Sequence, residues 1–307
     1  MSAIHNLTHQ IVDYAGLFPP AALPLENVVG NYASYIEGPY ASMLARLILP
    51  VSKLDSFENE ATFKRTKNIW RISCLIPGVT EGTDELRNAI QRIELFNSSH
   101  LGRAIIDTVE VKASDSNEIQ LIAQNLSGSL APFFELPHQQ PIDECIATIR
   151  SLGDQNFAKI RTGGVTPELI PAPEQVAQFL QTCAKHDVGL KATAGLHHPL
   201  RGEFRLTYKE DAPIGCMFGY LNVFLAAMLA FDGVNDTGSI CDLLKETDPG
   251  SFEFTDSSIR WRDHVWTAEE ISRTRNKIIS FGSCSFDEPT QELVDLGLME
   301  SASSIQN

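Results

Sequence analysis

Residues 157–164 read FAKIRTGG and residues 189–199 read GLKATAGLHHP. Each is a short apolar run that carries one lysine, Lys159 or Lys191, and ends at glycine, and a helix-like stretch lies between them. A near-continuous apolar run of this length suits a parallel strand covered on both faces, since neither face needs to be polar. Two such strands joined through a helix form a right-handed βαβ unit. The lysines then stand late in their strands, next to the turns that follow.

The same pattern extends in both directions. Strands are expected over 11–18, 45–51, 69–77, 107–113 and 131–137, besides 157–163 and 189–195. Amphipathic stretches such as GTDELRNAIQRIELFNSS, SNEIQLIAQNLSG, IDECIATIRSLG and TPELIPAPEQVAQFLQTCAKHD separate them. Seven strands in series favour a closed (β/α)8 TIM barrel over an open sheet. Either FEFTD (252–256) or IISFG (278–282) can supply the eighth strand. The first is favoured, because Thr267 and Glu270 after it form a capping-box pattern that would open the last barrel helix. Residues 282–300 would then be a terminal loop and short helix. No repeat, low-complexity tract or linker divides the chain, so residues 1–307 are expected to form one domain.

The formal charge of −15 argues against sequence-independent nucleic-acid binding, which needs an excess of lysine and arginine. Six scattered cysteines without a C-x-x-C pair suit a reducing cytoplasm. The opening MSAIHNLTHQ lacks the basic and apolar regions of a signal peptide. The apolar segment 214–231 approaches membrane-spanning length, yet Asn222 interrupts it and Glu210, Asp211 and Asp232 flank it. A buried helix is expected there, with a polar partner for the asparagine and no membrane partner. A homo-oligomer is compatible with all of this.

Barrel enzymes build their sites at the C-terminal ends of the strands, so late polar residues in apolar strands are the candidates. These are Asp13, Glu110 and Lys112, Glu135 with His138, Lys159 and Arg161, Lys191, and the pair His197 and His198. Side chains alternate along a strand, which puts Lys159 and Arg161 on one face. With Lys191 on the next strand they would make a cationic mouth that draws in a small anionic substrate. Like charges around an ammonium in a low-dielectric site lower its pKa and release the neutral amine. A structural alternative gives both lysines salt bridges to Glu110 or Glu135. The loop at 196–213 is long enough to cover the mouth. GSCSFD with Asp287 as helix cap suits an anion or a simple turn, and Cys284 has no partner visible in the sequence.

Residues 157–199 resemble consecutive strands of class I aldolases of the deoxyribose-phosphate aldolase type, in which a Lys-x-x-Thr-Gly strand precedes a Lys-x-x-x-Gly strand. The resemblance implies a lyase without cofactor, with Lys159 as Schiff-base residue and Lys191 as the lysine that lowers its pKa. Arg161 would bind a phosphate or carboxylate, with Asp13, Glu135 and His197 as further substrate contacts. Glu110 or His198 would move protons, and Asp107 and Glu110 are the candidates for the fourth-strand acid. If the chain turns at Gly195 and Pro199, His197 and His198 can meet one divalent metal together with Asp13 and Glu135. This set resembles metal-dependent barrel lyases of the hydroxymethylglutaryl-CoA lyase kind, which take an Asp near the first strand and two His near the seventh, but as His-x-His. A third alternative is a barrel that binds a small ligand or partner without catalysis.

Overall fold

The computed structural model describes residues 2–60, 63, 65, 67–138 and 141–305. Eight parallel strands close into a barrel: β1 (Val12–Tyr14), β2 (Leu44–Pro50), β3 (Trp70–Leu75), β4 (Ala104–Lys112), β5 (Ala131–Glu135), β6 (Phe157–Arg161), β7 (Leu190–Thr193) and a last strand, Ile278–Ser283. The chain is therefore a (β/α)8 barrel. The seven expected strands lie where the apolar runs do. The first is shorter than its run, because Ala15 and Phe18 have already turned out to line the barrel mouth.

Helices cover the outside of the barrel. Following an initial α1 (Ala3–Thr8) they include α2 (Leu25–Ile36), α3 (Leu54–Asn59), α4 (Thr83–Ser99), α5 (Ser116–Asn125), α6 (Asp143–Ser151) and α7 (Pro173–Lys185). In α4 the buried residues Leu86, Ala89, Ile90, Ile93 and Phe96 recur at helical spacing and form the stripe that meets the strands. Asp115 starts α5 by accepting the backbone N–H groups of Asn117 and Glu118.

The largest departure from a regular barrel lies between β7 and the closing strand. Here the chain forms a hairpin of β8 (Gly202–Arg205) and β9 (Ile214–Met217), the helices α8 (Tyr220–Phe231) and α9 (Thr237–Lys245), and an antiparallel meander of β10 (Phe252–Phe254), β11 (Ser258–Trp261) and β12 (His264–Thr267). Then α10 (Ala268–Thr274) leads into β13, the Ile278–Ser283 strand. The segment 214–231 is thus a strand followed by a helix. Tyr220 through Ala230 are all buried in α8, which packs on α7, α9 and β13. Its apolar surface is satisfied inside the protein, and among the described residues no helix is long and apolar enough to cross a membrane.

The eighth strand corrects the sequence expectation. FEFTD contributes β10, which pairs antiparallel with β11 across a short turn, with Phe252 opposite Trp261. A short turn permits antiparallel pairing, whereas a parallel barrel strand needs a crossover. IISFGS instead lies between β1 and β7, with Val12 beside Phe281 and Thr193 beside Gly282. The Thr267–Glu270 capping box does form, but the helix it opens precedes the eighth strand. The helix after that strand is α11 (Asp287–Asp295), drawn from what was expected to be a terminal tail.

Candidate active site

Register brings the two lysines together. Glu135, Lys159 and Lys191 are consecutive neighbours across β5, β6 and β7. In parallel strands, neighbours in register point to the same face, and here both lysines point into the barrel, 4% and 1% exposed. The turns after β6 and β7 touch backbone to backbone: a Cβ on Gly163 would lie 3.0 Å from the Gly195 Cα, and Gly195 has φ of +73°. Any side chain at either position would push these strand ends apart. Thr162 fixes the same turn, its hydroxyl donating to the Ala194 carbonyl at 2.9 Å.

Glu110 from β4 lies between the two ammonium groups. Lys159 Nζ is 2.7 Å from Glu110 Oε2 and 2.6 Å from Glu135 Oε2. Lys191 Nζ is 2.7 Å from Glu110 Oε1 and 2.5 Å from Asp13 Oδ2. Two hydroxyls complete the cluster, Ser73 donating to Glu110 at 2.8 Å and Ser280 to Asp13 at 2.5 Å. Asp13 Oδ1 is buried without a hydrogen-bond partner. Five residues that the sequence identified separately, or four of them plus Glu110 as hub, thus form one buried network of three carboxylates and two ammoniums.

The electrostatics differ from the like-charge picture. Burial alone would push the Glu110 carboxyl up, but the Lys159 and Lys191 ammoniums outweigh it and hold it well below the usual carboxylate range. Burial would likewise lower the Lys159 pKa, yet Glu110 and Glu135 raise it above the ordinary lysine value. Opposite charges within 3 Å, supplied by strands β4 and β5, decide the sign. The salt-bridged alternative therefore describes the resting network. Asp107, the other fourth-strand candidate, is held by Arg46 at 2.7 Å and Arg71 at 2.9 Å and lies away from this cluster.

The network opens onto a cavity of about 390 Å³ at the C-terminal end of the barrel. Glu110, Glu135, Lys159 and Lys191 reach it from below, while the exposed Lys112 and Arg161 stand on its rim. The remaining wall is mostly apolar, including Phe18, Pro20, Ile48 and Leu75. The long 196–213 loop does reach the mouth, since His197 and Leu206 line the cavity, and Met217 of β9 beyond it lines the same cavity.

The two histidines separate. His197 lines the cavity, and its Nδ1 lies 2.9 Å from Glu288 Oε2. His198 turns away to Glu292 at 2.6 Å and stacks on Phe204 with ring centroids 3.4 Å apart. Burial favours a neutral His197 ring, but Cys284 and Glu288 outweigh it and push its pKa up to about 9. His197 and His198 thus bond to different carboxylates of α11, while Asp13 and Glu135 bond to the lysines. Among the described residues no three His, Cys, Asp or Glu side chains converge in a metal-binding arrangement. Asp287 is the first residue of α11, not its cap, and accepts the Tyr35 hydroxyl at 2.8 Å.

Several participants escaped the sequence reading. Ser73 and Ser280 are polar residues inside apolar strands, the same signal that found the lysines. Glu288, which orients His197, and Tyr208, whose hydroxyl lies 3.7 Å from Cys284 Sγ, carry no such signal, since they lie in a helix and a hairpin and reach the site only through the fold. Comparison of the sequence with protein-family models and with curated proteins yields no match, so the chemistry has to be argued from these side chains themselves.

Proposed function

We propose that the protein is a lyase of the class I aldolase type, making or breaking a carbon–carbon bond in a small anionic carbonyl compound through a Schiff base on Lys159. The observation that carries this reading is the convergence of two lysines from adjacent strands on one buried carboxylate beneath a cavity of suitable size. Lys159 attacks as the neutral amine, the minor form near neutral pH given its raised pKa, and its proton leaves through Glu135, 2.6 Å away at the cavity. The iminium that follows is again a cation on the same nitrogen, and the carboxylates that hold the ammonium stabilise it. Lys191, more deeply buried between Asp13 and Glu110, positions Glu110 and balances its charge. His197, oriented by Glu288, moves protons at the substrate in place of the His198 expected earlier. Arg161 and Lys112 on the rim bind the anionic group, and the apolar wall takes the carbon skeleton.

The test is reductive trapping with pyruvate and with acetaldehyde. Borohydride reduces an iminium to a stable secondary amine, so the peptide containing residues 157–161 should gain the mass of the reduced adduct. Lys159→Met should abolish the adduct. Because the resting ammonium is held charged, trapping should accelerate as pH rises from neutral toward the ordinary lysine range. Absence of any adduct with both compounds, or an adduct on other lysines that persists in Lys159→Met, overturns the reading. A barrel that only binds such compounds would show saturable binding with no reducible adduct.

A further inference from the structure

We infer that Cys284, His197 and Glu288 form a second reactive centre on the wall of the same cavity, a nucleophilic thiol that adds to an electrophilic carbonyl carbon. Three elements assemble it. Cys284 directly follows β13, His197 follows β7, and Glu288 lies in the first turn of α11. Pairing of Gly282 with Thr193 puts the ends of β13 and β7 side by side, so the two loops leave the barrel together.

Cys284 Sγ lies 3.9 Å from His197 Nε2 and 4.0 Å from Nδ1; Glu288 at 2.9 Å and Ser283 at 3.4 Å occupy Nδ1, so Nε2 is the nitrogen left for the thiol. A base oriented by a carboxylate and facing a thiol is the arrangement that activates a cysteine. The Tyr208 hydroxyl, from the loop of the covering hairpin, lies 3.7 Å from the same sulfur. Cys284 and His197 are each nearly buried, at 5% and 6% exposure, yet both line the cavity, so a small molecule meets them while bulk solvent does not.

In the step itself, the neutral form of His197, which becomes abundant only as pH rises toward about 9, takes the thiol proton at Nε2, and Glu288 holds the imidazolium that results. The sulfur forms a C–S bond with the carbonyl carbon, the C=O π pair moves to oxygen, and His197 returns the proton to that oxygen. The product is a hemithioacetal, and nothing is oxidised or reduced. The centre shares His197 and Glu288 with the proposed lysine chemistry, but the thiol step forms no Schiff base, so alkylation of Cys284 reads it separately from borohydride trapping on Lys159.

Limiting iodoacetamide on the full chain tests it, with the adduct mapped by peptide mass. Here the sulfur displaces iodide, and the partly exposed Cys216 on β9 serves as internal reference. Cys284 should alkylate at least tenfold faster than Cys216 despite being less exposed. His197→Gln should slow Cys284 at least tenfold and Glu288→Gln severalfold, with Cys216 unchanged in both. An unchanged Cys216 rate and melting temperature mark the loss as local; should His197→Gln fail to fold, Glu288→Gln decides. Acetaldehyde at saturating concentration should protect Cys284 reversibly. Labelling of Cys284 no faster than Cys216, or no effect of the folded variants, overturns the centre. Fast labelling without protection by acetaldehyde overturns its carbonyl chemistry. Fast labelling and protection without a borohydride adduct overturn only the Schiff-base reading.

Discussion

At the scale of single residues, Glu110 is the group on which the site depends. It accepts from both lysines and from Ser73 while almost wholly removed from water. Such a cluster costs desolvation energy, and removing one member of a buried pair is more damaging than the net worth of the pair. Glu110→Gln should therefore lower unfolding stability at neutral pH by about 3 kcal/mol, measured by urea denaturation. The pH dependence follows from the signs. The folded carboxyl titrates below its ordinary value, so its contribution is present above that range and is lost as pH falls toward the folded value. Lys159 is shifted upward, so its contribution is present at lower pH and is lost as pH rises through the raised value. Wild type should lose stability on acidification below about pH 4.5 more steeply than Glu110→Gln. Equal acid slopes for the two proteins would contradict this account of the network.

At the scale of elements, the insertion between β7 and β13 both covers the cavity and secures the barrel wall. Its anchor is Asn222 in the otherwise apolar α8. The side chain donates to the carbonyls of Leu243 at 2.8 Å and Glu246 at 2.9 Å, at the end of α9, and accepts the Arg201 N–H at 2.8 Å. One amide thus satisfies two helix-end carbonyls and the entry to the β8–β9 hairpin. Asn222→Leu would suit the hydrophobic surroundings but take the amide partner from the Glu246 carbonyl and the Arg201 N–H, while the Leu243 carbonyl keeps only the Glu246 N–H at 3.3 Å, at a cost of about 2–4 kcal/mol. The melting temperature should fall accordingly, whereas a polarity-blind view of α8 predicts a gain. That hairpin also brings Leu206 and Met217 to the cavity, so the same variant should weaken any ligand that depends on a closed mouth.

At the scale of the whole molecule, barrel closure depends on a strand near the end of the chain. β13 hydrogen-bonds to β1 on one side and β7 on the other. Without it, both neighbours become open edges and the interior cluster around Asp13 meets solvent. A chain ending at Lys277 retains FEFTD and the α10 helix but should not fold cooperatively, as judged by the absence of a thermal transition in circular dichroism. Had FEFTD been the eighth strand, that truncation would keep a closed barrel, so the measurement separates the two assignments directly. The same closure brings Cys284 and Glu288 beside His197, so the truncated chain would lack the thiol centre as well.

What the sequence determined by itself is local. Alternating apolar runs and amphipathic stretches located seven strands to within a few residues, and lysines late in two of them marked the cavity floor. Periodicity and turn chemistry act over a few residues, which is why those features were legible. The partners of the lysines were not. Lys191 meets Asp13 across 178 residues of sequence and Glu110 across 81. Whether its ammonium faces like or opposite charge depends on which strands flank it, and that is a property of the closed sheet. The choice between FEFTD and IISFG likewise rests on pairing, since either run is a competent strand alone. The separation of His197 from His198 follows from where α11 lies, because adjacent side chains point different ways and only the packed helix supplies each with its carboxylate. Tertiary structure alone decided these points, because each rests on contacts between residues about 80 or more positions apart that form only when the barrel closes.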